Sequence, residues 1–378
     1  MGYATKMESV GLMFGDTFKG KKVLITGNTG FKGSWLSIWL HKLGAEVHGI
    51  SVDIPTEPSN FKELNLEFSI NHTFLDIREF NAISELINAV KPDFIFHLAA
   101  QSIVSTSYKD PIKTIGTNIL GTSHVLESLR LSNHECVAVI ITSDKCYDNV
   151  EWVWGYKETD RLGGKDIYSG SKGGAELVCK SYYHSFFRNE NSNIKLATTR
   201  AGNVIGGGDW AQDRIVPDCI RSWSKGDAVT IRNPYATRPW QHVLEPLSGY
   251  LTLALRLNEG KISNGESFNF GPRSEQNVNV QKLIEDLSSH WRFKNKNDSY
   301  SIVETDLFHE AGLLKLNCDK ALFHLNWQPV LNYEQLITFV GKWYYEYYKG
   351  QTDMFDYTLQ QIEEYQIVAK EAGLTWSQ

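Results

Sequence analysis

Short apolar runs alternate along this chain with stretches in which apolar residues recur every three or four positions. Lys22-Val23-Leu24-Ile25-Thr26 reads as a buried strand. Gly27-Asn28-Thr29-Gly30-Phe31-Lys32-Gly33 follows. Trp35, Leu36, Ile38, Trp39, Leu40 and Leu43 then give a broad apolar helix face, ended by Gly44. A second strand is expected from Glu46 to Val52 and a short third around Thr73-Phe74-Leu75. Phe80, Ile83, Leu86, Ile87 and Val90 have helical spacing, and Pro92 stops that helix. Strands are expected over 93–98, 136–142 and 195–200, with helices over 118–131 and 168–187 between them. Strands alternating with helices mean βαβ units, and so a mostly parallel sheet covered on both faces. The fold class is α/β, a Rossmann-type doubly wound sheet.

The rhythm changes after Asn203. Gly206-Gly207-Gly208 opens a loop, and shorter elements follow: helices over 215–223, 247–257 and 280–291, and strands over 229–231 and 267–270. A final helix rich in Trp343, Tyr344, Tyr345, Tyr347 and Tyr348 reads as core or subunit contact. This predicts an irregular lead-in over 1–20 and a sheet domain over 21–200. From 201 to 378 it predicts a smaller interleaved lobe, with some segments returning to the first domain.

Length and composition then bound the function. A chain of 378 residues can bury a core without disulfide or metal staples. Lys plus Arg number 38 against 44 Asp plus Glu, a net charge of −6. That balance argues against a nucleic-acid surface or a polybasic membrane face. Five cysteines with no C-x-x-C pair suit a reducing compartment, and the histidines show no metal-binding spacing. No apolar run approaches the roughly 18 residues needed to span a bilayer. A cytoplasmic protein with no metal is expected.

The glycine turn carries the first chemistry. Gly27, Gly30 and Gly33 lie between the first strand and the first helix, where a tight turn and unpaired helix N–H groups receive a pyrophosphate. The spacing is G-x-x-G-x-x-G rather than the commoner G-x-G-x-x-G, and a purely structural turn would look the same. Asp53 lies 20 residues past Gly33, just after the second strand. A carboxylate there accepts from a ribose 2′-hydroxyl and repels a 2′-phosphate, favouring NAD over NADP. Asp76 and Ile77 are expected beside the adenine. Tyr168 and Lys172 stand four residues apart, on one helix face. A free phenol has a pKa of about 10, and a nearby ammonium is expected to lower it, making a base for an alcohol proton. Ser143-Asp144-Lys145 ends a strand, where α/β sheets bind ligands; as a sequence feature alone, Asp144 and Lys145 are equally a surface ion pair.

Together these segments resemble the extended short-chain dehydrogenase/reductase superfamily. The carrying motifs are T-G-x-x-G-x-x-G at 26–33, His97-Leu98-Ala99-Ala100, Thr117-Asn118 and Y-x-x-x-K at 168–172. Within it the chain looks like the nucleotide-sugar 4,6-dehydratases, in particular the CDP-glucose branch, through residues 28–36, 55–59, 143–147, 151–156 and 202–210. The resemblance implies tightly bound NAD, recycled within each turnover, held by Gly27, Thr29, Gly30, Phe31, Lys32, Gly33, Asp53, Asp76, Ile77, Leu98, Ala99, Ala100, Tyr168 and Lys172. It implies a nucleotide-sugar substrate gripped by Gln101, Asn203, Arg214 and Arg238, with Arg238 on the diphosphate. It implies oxidation at C4 with Tyr168 as base and Ser143 on the hydroxyl, water loss across C5 and C6 with Asp144 as acid, and hydride return to C6. Most dehydratases of other nucleotide sugars carry Glu after that Asp. Here the place is Lys145, which leaves the C5 base open between Lys145 and another group. A homodimer or homotetramer supplying deoxysugars for surface polysaccharide is implied as well. Epimerisation and non-catalytic NAD sensing are the rival readings.

Overall fold

The computed structural model describes residues 13–291, 293, 296–303 and 313–378. Residues 1–12 of the expected lead-in lie outside the described residues. Seven parallel strands form the central sheet: β1 (Lys22–Thr26), β2 (Glu46–Ser51), β3 (Asn71–Phe74), β4 (Phe94–His97), β5 (Cys136–Ile141), β6 (Ile194–Arg200) and β7 (Glu266–Asn269). Their order is β7-β6-β5-β4-β1-β2-β3. The order reverses between β1 and β4, so the loops after those strands diverge and leave a crevice at the carboxyl ends. Thr26 registers with His97 and His97 with Ile140, which brings three strand ends level at that crevice.

The central strands are apolar on both faces because both are covered. Leu24, Ile95, Ala138 and Leu196 meet α2 (Phe80–Val90), α3 (Thr122–Leu131) and α4 (Ile167–Tyr182) on one side. Val23, Ile25, Phe96 and Val139 pack on the other side with α1 (Phe31–Lys42) and, further along the chain, α6 (Leu244–Asn258). The smaller elements past Asn203 include α5 (Ile215–Ser224), α7 (Val280–Ser288) and α8 (Asp319–Leu325). β7 returns from this region to extend the first sheet beside β6.

Residues 13–20, a 3-10 turn at Met13–Asp16 and the turns after it, pack onto the core: Phe14 and Phe18 are fully buried, and Phe14 stacks on Trp376 at 4.9 Å. Two expectations need correction. The aromatic helix, α9 (Tyr333–Lys349), is not the last, because α10 (Met354–Glu371) follows it and packs against it. The helices expected over 118–131 and 168–187 are each partly replaced by a wider π-type turn, at Gly116–Gly121 before α3 and at Tyr183–Phe187 after α4. The core reading of α9 fits its burial: Trp343 and Tyr344 are completely enclosed.

Candidate active site

The turn after β1 is built for close approach. Gly27 has φ +78°, and a Cβ there would come within 2.7 Å of the Ala99 backbone nitrogen. A Cβ on Gly33 would collide with the Gly27 carbonyl. The turn therefore lies against the loop after β4 and packs the start of α1 onto the end of β1, and the first N–H groups of a helix so placed are free to face the crevice. Thr29 Oγ1 donates to the Asp53 carbonyl at 2.7 Å, tying this turn to the end of β2 and leaving the Asp53 side chain exposed.

The neighbouring loop after β4 is fixed by a hydrogen-bond chain. Thr122 Oγ1 donates to the Asn118 carbonyl at 2.8 Å and so accepts from His97 Nε2 at 2.9 Å. The Thr26 hydroxyl then donates to His97 Nδ1 at 2.7 Å and accepts from the Ala99 N–H at 3.1 Å. Burial holds this imidazole neutral, with a pKa of about 3. Leu98, Ala99 and Ala100 are half-buried along the crevice. Asn118 Oδ1 accepts from the Gln101 N–H at 2.8 Å while its Nδ2 donates to Ser171 at 2.8 Å, linking the loop to α4.

At the end of β5, Ser143 Oγ donates to Asp144 Oδ1 at 2.9 Å. Ser143 also hydrogen-bonds the phenol of Tyr168. Tyr168 and Lys172 are both buried on α4. Burial pushes the phenol up to about 12, against the pull of the Ser143 hydrogen bond and the Arg214 charge. This overturns the expected lowering by Lys172: desolvation of the phenolate dominates, and it also lowers the Lys172 ammonium to about 8. Lys145 is half-buried next to Asp144. Asn203, in left-handed backbone at φ +53°, brings its Nδ2 to 3.5 Å from Asp144 Oδ2.

The basic side chains divide. Arg214, at the N-terminus of α5, pairs with Asp209 at 2.9 Å and also faces Tyr168 and Lys32. Lys32 is lowered to about 8 by desolvation, with the Arg214 and Lys172 charges adding to it. Arg238 stands apart, on the short ribbon of Thr237–Arg238 against Val278–Asn279, where it donates to the Thr237 carbonyl at 2.9 Å. Two expected ligand residues also make contacts within the chain. The Gln101 amide is engaged by Thr114 and the Ile103 N–H, and the Ile77 side chain is core beneath α3. Asp76 is held by Arg78 at 2.6 Å. Trp210 is buried against α9, whereas Trp154 is 71% exposed.

Sequence reasoning passed over Asp209, Tyr344, Glu176 and Arg200. Tyr344 hydroxyl donates to the Asp209 carbonyl at 2.6 Å, and Asp209 in turn holds Arg214. Glu176 had a signal, being the third member of the i, i+4, i+8 face begun by Tyr168 and Lys172.

A seven-stranded parallel sheet with a glycine turn at its switch point and a buried Tyr–Lys helix beside it is the architecture of the extended short-chain dehydrogenase/reductase class. More narrowly, the chain belongs to the family described as GDP-mannose 4,6 dehydratase, whose model matches residues 24–339. It is 44% identical over 351 residues to a CDP-glucose 4,6-dehydratase of Salmonella typhimurium, covering 92% of this chain and 97% of that one. It is 24% identical to a dTDP-glucose 4,6-dehydratase of Xanthomonas campestris, over 85% of this chain and 92% of the other. Among solved structures, a Streptomyces venezuelae dTDP-glucose 4,6-dehydratase with NAD and a Thermotoga maritima UDP-glucose 4-epimerase each superpose with a TM-score of 0.74. Their identities are 19% and 20%; 88% and 86% of this chain and 99% of each structure are covered. Dehydratase and epimerase match equally well, so the fold alone does not choose between the reactions.

Proposed function

We propose that the chain is a CDP-glucose 4,6-dehydratase, an NAD-dependent hydro-lyase converting CDP-D-glucose to CDP-4-keto-6-deoxy-D-glucose. The observation that carries this is the 44% identity to the Salmonella enzyme along nearly the full length of both chains. The buried Ser143–Asp144–Tyr168–Lys172 cluster supports it from the side of geometry.

The residues present fit NAD. The cradle at Gly27 and Gly33 has no room for a Cβ, the first turn of α1 offers N–H groups to a pyrophosphate, and Asp53 is exposed at the end of β2. When bound, NAD would supply the acceptor for the C4 hydride and give that hydride back at C6, with a proton returning to C5, so that it is restored as acceptor and no net oxidation results. Tyr168 takes the C4 hydroxyl proton and Ser143 orients that hydroxyl. Lys172 carries the positive charge beside them and holds the cofactor. The 4-ketone so formed acidifies C5. Lys145 or a neighbouring group removes that proton, and Asp144 protonates the departing C6 hydroxyl, which leaves as water. Asn203 and Arg214 bind the substrate next to Tyr168, and Arg238 takes its diphosphate with a fork of donors.

Among the described residues no helix is long and apolar enough to cross a membrane, and we place the enzyme in the cytoplasm, feeding surface-polysaccharide synthesis. A second copy is placed on the outer face of α4. Ile112 (78%), Leu120 (51%) and Leu177 (54%) are exposed there on packed neighbouring elements.

The test is mass spectrometry of the purified protein with a panel of nucleotide sugars. CDP-glucose is expected to yield a product lighter by one water with no net NAD consumed. Turnover of dTDP-glucose or GDP-mannose with CDP-glucose untouched overturns the substrate, and an isomeric product overturns the dehydration.

A further inference from the structure

One turn beyond Lys172, α4 presents Glu176 on the same face, 3% exposed. Its Oε2 is 2.8 Å from Nη2 of Arg200, at the end of β6 and equally buried. The carboxylate also accepts from Thr198 Oγ1 at 2.8 Å and from Thr142 Oγ1 at 2.5 Å. Arg200 Nη1 donates to the Tyr147 hydroxyl at 2.7 Å and to the Glu158 carbonyl at 3.1 Å. The Tyr147 hydroxyl donates onward to Asn269 Oδ1 on β7 at 2.8 Å. Thr142 and Tyr147 bracket the turn that carries Ser143, Asp144 and Lys145. The ion pair therefore grips that turn at both ends and fastens it to the helix bearing Tyr168 and Lys172.

Such a pair is poorly explained as a stabiliser, because the desolvation of two buried charges offsets their attraction. Its position gives it another use. Despite burial, Arg200 and the threonine hydroxyls hold Glu176 ionised. The groups facing Lys172 are Glu176 on its own helix, Cys146 on the bracketed turn, His97 on β4 and Lys32 on α1. Burial keeps Cys146 a neutral thiol and His97 a neutral imidazole, and Lys32 is a cation. Glu176 is the anion of this set.

We propose that Glu176 and Arg200 are positioning residues, setting the Ser143–Lys145 turn against Tyr168 and supplying the counter-charge for the Lys172 ammonium. The inference rests on the dehydratase reading for the turnover it affects, but its effect on NAD binding does not require that reading.

Glu176→Gln alone strands the Arg200 charge in the core. The informative variant is therefore Glu176→Gln with Arg200→Met, which removes both charges and which cores tolerate. Two profiles against pH are read: kcat with CDP-glucose, and NAD affinity by quenching of tryptophan fluorescence. Loss of the counter-charge lowers the pKa of Lys172, so the alkaline limb of the NAD-affinity profile, and the pH at which kcat stops rising, are both expected to move down by roughly one pH unit. Glu176→Asp, which keeps the anion, is expected to leave that limb in place. Tyr147→Phe cuts the link from Arg200 to the turn without stranding a charge, and it is expected to lower kcat with the limb unmoved. An unmoved limb in the double variant overturns the counter-charge, and wild-type kcat in Tyr147→Phe overturns the turn-positioning. If the wild-type protein leaves CDP-glucose unchanged, the dehydratase reading fails, and the NAD-affinity profile still decides the counter-charge.

Discussion

Gly202 lies directly over the carboxylate of Asp144, so close that a Cβ at that position would overlap both of its oxygens. The backbone after β6 is thus the roof of the proposed acid, and Asn203 follows with its amide on the same carboxylate. Gly202→Ala is expected to push Asp144 aside without touching the glycine turn at Gly27. A displacement of about 1 Å at a reacting group costs roughly 100-fold in rate. Steady-state kinetics should show that loss in kcat, while NAD affinity stays at its wild-type value.

Arg214 owes its orientation to Asp209, which pairs with it at 2.9 Å and is itself fixed by the Tyr344 hydroxyl on α9. Asp209→Asn keeps the shape and removes the charge, so the guanidinium loses its anchor. KM for CDP-glucose is expected to rise by about tenfold, the worth of one charge-assisted hydrogen bond, with a smaller change in kcat. Arg214→Ala should raise KM at least as far. Equal KM values for the variants and the wild type would remove Arg214 from the substrate site.

For Tyr168, the pH sense follows from the two buried groups. The phenol must give up its proton to act as a base, and its pKa in the resting protein is raised to about 12 by burial. Activity should therefore climb with pH on the acid side. Lys172 must keep its proton, and its pKa is lowered to about 8. Because the base titrates above the cation, activity should stop rising near pH 8, where each further gain in phenolate is offset by loss of the Lys172 proton. Tyr168→Phe is expected to lose about a thousandfold or more in kcat, within the span of general-base contributions, and to bind NAD as before.

Much of the fold was legible because apolar runs and helical spacing report burial directly. β1 runs from Lys22 to Thr26 as read, and the Tyr168–Lys172 spacing does place both side chains on one buried face. α10 escaped because its buried set includes Thr358, Gln361 and Gln366, polar types whose burial no local pattern reveals. Trp343 donates to Thr358, and Gln361 donates to the Phe339 carbonyl. Asp209–Arg214 could be guessed from proximity in sequence, but Glu176–Arg200 joins positions 24 apart through the sheet.

The exposed apolar face of α4 has a definite consequence if a second copy covers it. Leu177 is 54% exposed there, close to the elements carrying Ile112 and Leu120. Leu177→Glu places a charge that burial would strand in the interface. Light scattering after gel filtration should show the wild type at twice the chain mass or more and the variant shifted to monomer. A monomeric wild type at micromolar concentration would refute the pairing.

Phe14 tests whether residues ahead of β1 are part of the folded unit. Its ring lies parallel to Trp376 at 4.9 Å and edge-on to Trp39 at 5.9 Å, and it is fully buried. The contact clamps the segment before β1 and the turn after α10 onto α1, on the face of the sheet away from α4. Phe14→Ala empties an enclosed aromatic site, a change that costs about 3–5 kcal/mol in other cores. For a chain of this size that is a fall in Tm of roughly 4–6 °C. None of these rings touches Tyr168, Lys172 or the Ser143–Lys145 turn, so kcat at 25 °C should stay near the wild-type value in the folded fraction. A Tm within a degree of wild type would mean that Phe14 leaves this pocket in solution.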